Sequence, residues 1–550
     1  MIDKIILKSG RRPDDKSLDI DTKERVTIFV GPNNSGKSAL LRSVYKEVIG
    51  HNGEFDKIDK VKSSLKSVAL IKFHEDLLAI HPNTNGKQAD DEVRIDNRLE
   101  DLSSWVRNLS QNWIGHHGQV FRRAFCIWLN GERRLSMLPN EQGVSLINPI
   151  TPLARLIVDD QRRRLFQDEV YSGIGFYPII DSVSAIGNLK ITLSRTQLSA
   201  DDERSLRGAV VSAVRDALPI EDASDGYKAY VGLLGALHAT DYHVILVDEP
   251  EAFLHPSLAR KLGRQIAERA NGKEILIATH SGEFVMGAIE SGAPVTIVRL
   301  EYFGDTATAC EISNDEIRKF MQDPLLRSAN VLSGLFSKSV IVTEADSDRA
   351  FYQEVNNRLL AAKDPRAIEG ALFLNAQNKQ TVPAIVKLLR RMGIPCIGIV
   401  DLDVLSEGGK NWTKQVDAIA FPQISRTALE SNRKVLHAAL QEVSDDPEKK
   451  NYKRNGGVSL LKQEDQEAAK IFLNTLQEYG LFVVDRGEVE AWLASLEIDR
   501  AKHSWLRNIF DAMGSNPASE DYLQPEDDDV WHFIGECNRW LSNPRRKGMN

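Results

Sequence analysis

The hydrophobic residues divide the chain into two series of short apolar runs, each alternating with stretches of helical spacing. The first series begins with the run 26–30, and a stretch of helical spacing over 39–44 follows it. Three more apolar runs, at 243–247, 274–278 and 295–300, alternate with helical stretches further along. Strands that alternate with helices in this way form parallel sheets, so this series predicts an α/β domain.

A second series begins after a polar helical link at 313–327. Its apolar runs at 339–343, 371–374, 396–400 and 481–484 again alternate with helical stretches, which predicts a second α/β domain. The remaining residues are helical in pattern with turn-rich breaks. The predicted domains are an α/β domain over 1–335, a second α/β domain over 336–500 and a helical C-terminal extension over 501–550.

Two polar stretches of the first domain, about 50–120 and 150–220, interrupt this regularity and are predicted as insertion or dimerisation regions. Within the first of them, residues 96–110 carry apolar side chains at helical spacing, which predicts a helix. Residues 119–138 contain Asn-Gly between two apolar runs, and this pattern predicts a β-hairpin with its turn at 130–131.

Composition limits the class of protein. The 550 residues are 42% hydrophobic with a net charge of −8, so any DNA contact must come from local basic patches or through metal ions. No apolar stretch reaches the ~18–20 residues that a membrane span needs, and the charged N-terminus is unlike a signal peptide. The four cysteines are scattered, which argues against a zinc ribbon and a disulfide framework. We therefore expect a cytoplasmic protein.

The first apolar run leads into residues 31–38, Gly-Pro-Asn-Asn-Ser-Gly-Lys-Ser, which have the spacing of a phosphate-binding P-loop. In such a loop, successive backbone N–H groups and a helix N-terminus bind the phosphates of a nucleotide. Lys37 would contact the β- and γ-phosphates and Ser38 would bind Mg²⁺. An ordinary strand-to-helix turn is the alternative. The candidate ATP ligands are Gly31, Asn33, Asn34, Ser35, Gly36, Lys37 and Ser38.

The apolar run 243–247 ends in two carboxylates, Asp248 and Glu249. At the carboxyl end of a strand beside the P-loop, Asp248 would hold Mg²⁺ through water. Glu249 would then act as the general base for the attacking water. Because many strands end in acidic residues, this pair is informative only together with the motifs around it.

Four elements in this order resemble the ABC-type ATPase family, in the branch with DNA-repair and SMC-like members. They are the P-loop, Ser224-Asp225-Gly226 at the start of a helix, Asp248-Glu249, and Ala278-Thr279-His280-Ser281 after another apolar run. The resemblance implies that Ser224 and Gly226 bind the nucleotide of a second subunit, and that His280 senses the γ-phosphate. Taken alone, Ser224 would be a helix cap and His280 a structural histidine.

One feature departs from that family and one stays open. The signature begins Ser-Asp-Gly-Tyr, whereas transporters have Leu-Ser-Gly-Gly. The glutamine of the family's Q-loop could be Gln88, Gln111 or Gln119. Since no transmembrane segment accompanies the ATPase, transport is excluded unless a partner supplies the membrane domain.

The second series of strands also ends in carboxylates. Glu344 follows the run 339–343, and Asp401 and Asp403 follow the run 396–400. On a strand, Asp401 and Asp403 would project to one face and, beside Glu344 on a neighbouring strand, form a negative pocket. Carboxylates this close raise each other's pKa unless cations neutralise them. We therefore expect one or two Mg²⁺ or Mn²⁺ ions, the apparatus for in-line attack on a phosphodiester.

A glutamate after the first strand and D-x-D after a later one resemble a Toprim domain, which is Rossmann-like. Ala345 stands where that domain usually has glycine. The resemblance implies that Asp348, Glu488 and Glu490 are further metal ligands, as in the nuclease branch of the fold. Lys547 is the candidate for the cation that stabilises the transition state. For Glu488, Glu490 and Lys547, a solvated helix face or tail is the alternative.

An ABC-type ATPase joined to a C-terminal Toprim domain resembles the OLD (overcoming lysogenisation defect) family. That resemblance implies metal-dependent DNA nicking or cleavage, dimers or higher assemblies, and frequent roles in anti-phage defence. Some members act with a helicase-like partner and some with a retron RNA–DNA element. The predicted activity is therefore that of an ATP-regulated, metal-dependent DNA endonuclease, in which Glu344 and Asp401 anchor one ion.

Two other interpretations compete with this prediction. The first is an ATP-switched DNA clamp or sensor whose Toprim fold is a non-cleaving platform that acts through a partner. The second is a topoisomerase or primase, since both contain Toprim folds. The sequence has no room for the large tyrosine-bearing gate domain of a topoisomerase, and its cysteines do not form the zinc module usual in primases.

Overall fold

The structure is a computed structural model. The residues that it describes are 4–8, 18–22, 26–48, 58–62, 92–95, 98–101, 126–144, 151–184, 187–205, 208–240, 242–270, 272–303, 306–312, 331–444 and 452–549, with a few positions between them. They form two compact units, of which one comprises Met1–Val30 and Asn34–Asn314 and the other comprises Gly31–Asn33 and Asp315–Asn550. None of the described helices is both long and apolar enough to span a membrane.

The first unit contains short strands and mostly short helices. In chain order its strands are β1 (Lys4–Leu7), β2 (Leu18–Asp21), β3 (Val26–Val30), β4 (Ile58–Lys62), β5 (Glu92–Ile95), β6 (Arg98–Asp101), β7 (Cys126–Leu129), β8 (Glu141–Gln142), β9 (Tyr177–Asp181), β10 (Asn188–Ser194), β11 (Leu218–Pro219), β12 (Val244–Asp248), β13 (Glu274–Ala278), β14 (Val295–Phe303) and β15 (Thr306–Ile312). Its helices are α1 (Lys37–Val48), α2 (Gly131–Leu135), α3 (Pro152–Val158), α4 (Asp160–Ile174), α5 (Ala200–Glu203), α6 (Gly208–Arg215), α7 (Asp225–Ala239), α8 (Pro256–Glu268) and α9 (Gly282–Glu290).

A six-stranded sheet is the centre of this unit, with the order β15-β14-β3-β13-β12-β7. All neighbours are parallel except β14 and β15, which form an antiparallel pair at one edge. Every residue of β3 and β13 is buried, as expected for strands of a parallel sheet that is covered on both faces. The predicted α/β domain is confirmed, and the parallel order brings the carboxyl ends of β3, β13 and β12 to one edge.

Smaller antiparallel sheets accompany the central one. The strands β2, β1 and β4 form one, β8 to β11 form another, and β5 pairs with β6. The predicted helix over 96–110 is wrong in the part that the structure describes, because 98–101 is the strand β6. The strand β6 pairs with the nearby strand β5, from Ile95 opposite Arg98 to Glu92 opposite Asp101. These residues therefore form a local antiparallel pair instead of a helix.

The predicted hairpin over 119–138 is also wrong. Within its described part, β7 pairs in parallel with β12 instead of with the residues that follow it. Asn130 caps α2, because its side-chain oxygen accepts a hydrogen bond from the backbone N–H of Arg133 at 2.9 Å. Asn is common both in turns and at N-caps of helices. Because β7 pairs with β12, the residues after it do not fold back along β7, and Asn130 caps a helix instead.

The second unit is built on a four-stranded sheet in which all neighbours are parallel, with the order β17-β16-β18-β19. Its strands are β16 (Ser339–Thr343), β17 (Ala371–Asn375), β18 (Cys396–Val400) and β19 (Leu481–Val483). Its helices are α10 (Asp346–Ala361), α11 (Val382–Arg391), α12 (Gly409–Ala418), α13 (Arg426–Glu442), α14 (Tyr452–Asn455), α15 (Gln463–Gln477), α16 (Trp505–Met513) and α17 (Asp529–Ser542).

The last two helices share a core with the sheet. Trp505 of α16 and Trp531 of α17 are buried in one cluster with Phe351 of α10 and Ile399 of β18. Large aromatic side chains contribute much buried area, so we expect this tail to add to the stability of the sheet. The order β16-β18 places the ends of these two strands side by side, where the sequence has its acidic residues.

Candidate nucleotide site and candidate metal centre

The P-loop lies between the buried strand β3 and α1. Gly31 and Gly36 have φ angles of 147° and 81°, and Asn34 adopts the left-handed conformation with φ of 66°. Loops that alternate between such conformations present successive N–H groups to an anion. Lys37 begins α1, is buried, and donates from Nζ to Ser35 Oγ at 3.4 Å. These residues therefore have the backbone geometry that a triphosphate requires.

Ser38 and Asp248 lie together although 210 residues separate them. Ser38 Oγ donates a hydrogen bond to Asp248 Oδ1 at 2.9 Å, because the ends of β3 and β12 flank the same strand, β13. Burial raises the pKa of Asp248 above its ordinary value, while the Ser38 hydrogen bond opposes that shift. A hydroxyl and a half-buried carboxylate offer the oxygen ligands that Mg²⁺ prefers, so this pair fits a magnesium–nucleotide complex.

Glu249 lies in the turn after β12 with φ of 50°, a conformation that side chains rarely adopt. The Nδ1 atom of His280 is 3.6 Å from Glu249 Oε1 and 3.3 Å from Glu251 Oε1. Glu251 is buried, and its Oε1 also accepts a hydrogen bond from the backbone N–H of His280 at 3.0 Å. The predicted base and the predicted sensor are therefore neighbours. Glu251, for which the sequence motifs predict no role, thus binds the backbone of His280, the predicted sensor.

Arg134 is a second residue that the sequence analysis missed. It is almost completely buried, and it donates from Nη1 to the Glu249 backbone oxygen at 2.6 Å and from Nε to the Asn130 backbone oxygen at 3.3 Å. Burial lowers the pKa of Arg134, and the charges of Glu251 and Asp248 oppose that shift. The guanidinium thus supports the strained turn at Glu249. The role of Arg134 depends on its buried position on α2. The predicted hairpin had no helix at this place, so the sequence did not indicate that role.

The signature residues lie at the start of α7. Ser224 caps this helix, with its Oγ accepting from the backbone N–H of Tyr227 at 3.4 Å. A Cβ on Gly226 would lie 2.6 Å from the backbone oxygen of Phe253, so the close approach requires glycine. Binding across two subunits stays a prediction. The three candidates for the Q-loop glutamine, Gln88, Gln111 and Gln119, lie outside the described residues.

In the second unit, Glu344, Asp401 and Asp403 converge. Each offers a carboxylate oxygen, and the three oxygens lie within 4.8 Å of one another. The backbone N–H of Asp401 also donates to Glu344 Oε1 at 2.9 Å. The predicted convergence is present, but its predicted reason is wrong: β18 ends at Val400, and residues 402–406 form a 3-10 turn that brings Asp403 back beside Asp401.

Burial and crowding shift the titration of these acids. Burial, followed by the charge of Asp401, raises the pKa of Glu344 to about 8. Burial also raises the pKa of Asp401, although Lys453 opposes that shift. Carboxylate oxygens that lie this close together fit hard divalent ions, which replace the protons. The residues present therefore fit the Mg²⁺ or Mn²⁺ that the sequence predicts.

Two more predicted ligands border this group. Asp348 lies in the first turn of α10 and is buried, and burial followed by the charge of Asp401 raises its pKa to about 7. Burial, followed by the charge of Glu488, raises the pKa of Glu490. Ala345 adopts an extended backbone with φ of −127°, so the glycine usual at this position is not needed here.

Lysines occupy the other side of the acidic group. Lys453 Nζ is 2.9 Å from Asp401 Oδ2, and Lys379 Nζ is 3.1 Å from Asp403 Oδ2. The predicted cation, Lys547, instead contacts Glu478 at 2.5 Å, where both side chains are more than half exposed. The sequence did not indicate that Lys453 contacts Asp401, because 52 residues separate the two and no local pattern links them.

Comparison with protein families assigns both halves of the chain. Residues 26–286 match the AAA_21 model, an AAA domain whose description also names the AbiEii toxin and a type IV toxin–antitoxin system. Residues 335–403 match the model of the TOPRIM domain of overcoming lysogenization defect protein-like proteins. The comparison with curated proteins yielded no match.

Among solved structures, three similar ones are two SMC heads and a part of an ABC transporter complex. An SMC head bound to the C-terminal winged-helix domain of ScpA is 14% identical, covers 58% of this chain and 99% of its own, and has a TM-score of 0.35. The SMC head domain from Thermotoga maritima is 13% identical, with coverages of 57% and 99% and a TM-score of 0.30. The protein cbiO1 from Clostridium perfringens, part of an ABC transporter complex, is 13% identical, with coverages of 60% and 95% and a TM-score of 0.29.

The two family matches confirm the predicted order of domains, in which an ATPase precedes a Toprim domain. They also confirm the class of activity, since the first domain is an ATPase and the second is a Toprim domain of nuclease type. The match of residues 335–403 is to a Toprim domain whose description names proteins like the overcoming lysogenization defect protein. An AAA-type ATPase domain followed by an OLD-like Toprim domain matches the architecture of the OLD family of ATPase–Toprim fusion proteins.

Proposed function

We propose that the protein is an ATP-binding and ATP-hydrolysing, divalent-metal-dependent DNA endonuclease. The observation that carries this proposal is the group of Glu344, Asp401 and Asp403, whose oxygens lie within 4.8 Å of one another at the ends of two adjacent parallel strands. Such a group binds a hard cation well, and nucleases use bound cations to cleave phosphodiesters. The proposed cleavage leaves either a nick or a double-strand break.

In this proposal Glu344, Asp401 and Asp403 would hold a divalent ion, Mg²⁺ or Mn²⁺. Asp348 and Glu490 are the acids available for a second ion. A bound ion would supply a lowered pKa for attacking water and a positive charge beside the scissile phosphate. The carboxylates would orient the ion and the water that it activates.

At the other site, Lys37 would bind the phosphates of ATP, and Ser38 would bind its magnesium ion, which Asp248 would hold through water. Glu249 would take the proton of the attacking water, and His280 would contact the γ-phosphate. Ser224 and Gly226 would complete the site of a second subunit, so we propose that the protein acts as a homodimer or a higher oligomer. A single subunit would then lack part of the nucleotide site, so hydrolysis would require the assembly.

The setting of this activity is proposed from the family. The OLD-like domain supports a role in anti-phage defence, alone or with a helicase-like or retron RNA–DNA partner. The four cysteines are buried thiols, which supports a reducing compartment such as the cytoplasm.

A plasmid assay tests the nuclease. Supercoiled DNA incubated with the full chain and Mg²⁺ or Mn²⁺ should become nicked or linear, and Glu344→Ala should remove this activity. Glu369→Ala is the matched control, since Glu369 is an exposed acid of the same unit whose ion pair is with Lys338. If wild type and Glu344→Ala leave the plasmid equally intact with and without ATP, the alternative of a non-cleaving DNA clamp or sensor stands instead.

A further inference from the structure

Lys453 lies between two groups of predicted metal ligands. Its Nζ atom is 2.9 Å from Asp401 Oδ2, 3.3 Å from Asp403 Oδ2 and 3.6 Å from Glu488 Oε2. Only 13% of the side chain is exposed, so the ammonium group is largely withdrawn from water. A cation that bridges the D-x-D carboxylates and Glu488 is therefore already part of the protein.

The backbone holds this lysine in place. A Cβ at Gly487, one residue before Glu488, would overlap the backbone oxygen of Lys453, so the two segments are in direct contact. The same two segments are also joined by a hydrogen bond, in which the backbone N–H of Val458 donates to the Asp485 backbone oxygen at 2.8 Å. The neighbouring Tyr452 is completely buried. Lys453 thus differs from an exposed lysine whose side chain moves freely to a nearby carboxylate.

The electrostatics favour a charged lysine at this position. The Nζ atom of Lys453 lies within 3.3 Å of carboxylate oxygens of both Asp401 and Asp403. An ammonium group that contacts these oxygens repels a divalent ion at the same place, and in a site of low dielectric this repulsion is strong. The position between the D-x-D pair and Glu488 therefore holds either Lys453 or a metal ion, but not both.

We propose that Lys453 is a built-in cation of the Toprim site, which takes the place of a divalent ion between the D-x-D carboxylates and Glu488. Glu488, which also lies 3.1 Å from Lys502 and 3.5 Å from Arg454, is then a counter-charge of these cations and not a metal ligand, in contrast to the arrangement that the family resemblance implies. In cleavage, which rests on the proposed function, Lys453 is a positioning residue. It neutralises one side of Asp401 and Asp403 and so directs them towards the ion that they share with Glu344.

Counting bound Mn²⁺ on the nucleotide-free full chain tests this inference. Electron paramagnetic resonance of free Mn²⁺ gives the number of ions bound, and Asp401→Ala gives the background from elsewhere in the chain. We expect Lys453→Met to bind one ion more per chain than wild type, and Lys453→Arg to bind the wild-type number. Lys502→Met is the matched control, because Lys502 contacts Glu488 at 3.1 Å but is 54% exposed, and it should leave the number unchanged.

A second variant keeps the test decisive if Lys453→Met folds poorly. Glu488→Gln should bind the wild-type number of ions, since Glu488 faces the lysine. An equal count for Lys453→Met and wild type, or the loss of an ion in Glu488→Gln, would overturn the inference. With plasmid and saturating Mn²⁺, Lys453→Met should cleave about 10- to 100-fold more slowly, the usual loss when a positioning contact of a metal ligand is removed. Wild type that binds Mn²⁺ as expected but leaves plasmid intact would instead refute the proposed nuclease.

Discussion

At the scale of single residues, burial governs the acids of the metal centre. Glu344 and Asp348 have pKa values raised to about 8 and about 7, with burial the largest cause of both. Near neutral pH, protons therefore occupy part of this group until a cation replaces them. A raised pKa also means that these two acids favour the folded state most at low pH and lose that contribution as the pH rises through 7 to 8.

Metal affinity should consequently depend on pH. We expect Mn²⁺ to bind more tightly from pH 6 to about pH 8, by about tenfold per pH unit for each proton displaced, and to change little above that range. Isothermal titration calorimetry in buffers of different ionisation enthalpy measures both the affinity and the protons released. Asp346→Asn, at a mostly exposed acid paired with Arg349, should show the same dependence. An affinity that is constant between pH 6 and pH 8 would contradict this prediction.

At the candidate nucleotide site, the single residue Arg134 supports the conformation of the predicted general base, Glu249. Its bond to the Glu249 backbone oxygen supports a left-handed conformation that is unfavourable for a glutamate. Arg134→Met should lower the turnover of ATP by at least about tenfold, a loss typical of a displaced general base, with a smaller effect on nucleotide binding. Steady-state ATPase kinetics and binding of a fluorescent nucleotide separate the two effects.

Arg133→Met is the control for that substitution, because Arg133 is the exposed neighbour on the same helix. Arg134→Lys should restore part of the turnover, since it keeps a donor. If Arg134→Met hydrolyses ATP as fast as Arg133→Met, then Arg134 does not position the base.

At the scale of elements, the segments that follow the strands decide the geometry of the metal centre. The 3-10 turn over 402–406 returns Asp403 to Asp401, and the backbone N–H of Leu402 donates to the Gly487 backbone oxygen at 2.8 Å. Gly487 in turn touches the backbone of Lys453. Three segments that are far apart in sequence are therefore packed together through one glycine, and the lysine and the carboxylates depend on this packing.

Gly487→Ala should accordingly disturb the metal centre without altering any charged group. Its Cβ would overlap the Lys453 backbone oxygen, and at φ of 114° the backbone is also strained for alanine. We expect a lower melting temperature and Mn²⁺ affinity reduced by about tenfold or more.

Gly409→Ala is the matched control for that substitution. Gly409 lies in the same unit with φ of 54°, but a Cβ there would meet no atom within 4 Å. It should cost only the strain, about 1 kcal/mol, and leave Mn²⁺ affinity unchanged. Equal Mn²⁺ affinities for the two variants would show that the contact with Lys453 is not needed.

At the scale of the whole molecule, one chain carries both a candidate nucleotide site and a candidate metal centre. Two sites in one chain permit linkage, in which a ligand that favours one state of the protein alters the activity of the other site. We propose ATP binding as the input to such a linkage, because residues 26–286 form an ATPase domain.

We therefore predict that ATP changes the rate of DNA cleavage. Plasmid cleavage should differ with and without ATP for wild type, by about 5- to 150-fold for a typical coupling free energy. Lys37→Ala should cleave at the wild-type basal rate and show no response to ATP. Equal rates for both proteins in both conditions would refute the linkage.

The sequence by itself determined the parts of this protein whose signals are local. The P-loop, the carboxylates after β12, β16 and β18, and the two α/β series depend on short spacings and on the periodicity of apolar residues, which burial in strands and helices imposes directly. Tertiary structure decided the rest, because contacts between distant segments carry no local pattern. Arg134 reaches Glu249 over 115 residues and Lys453 reaches Asp401 over 52, and β7 became a strand of the central sheet because a parallel place beside β12 was available. The cations that support both candidate sites were therefore invisible in the sequence, whereas the acids that they support were not.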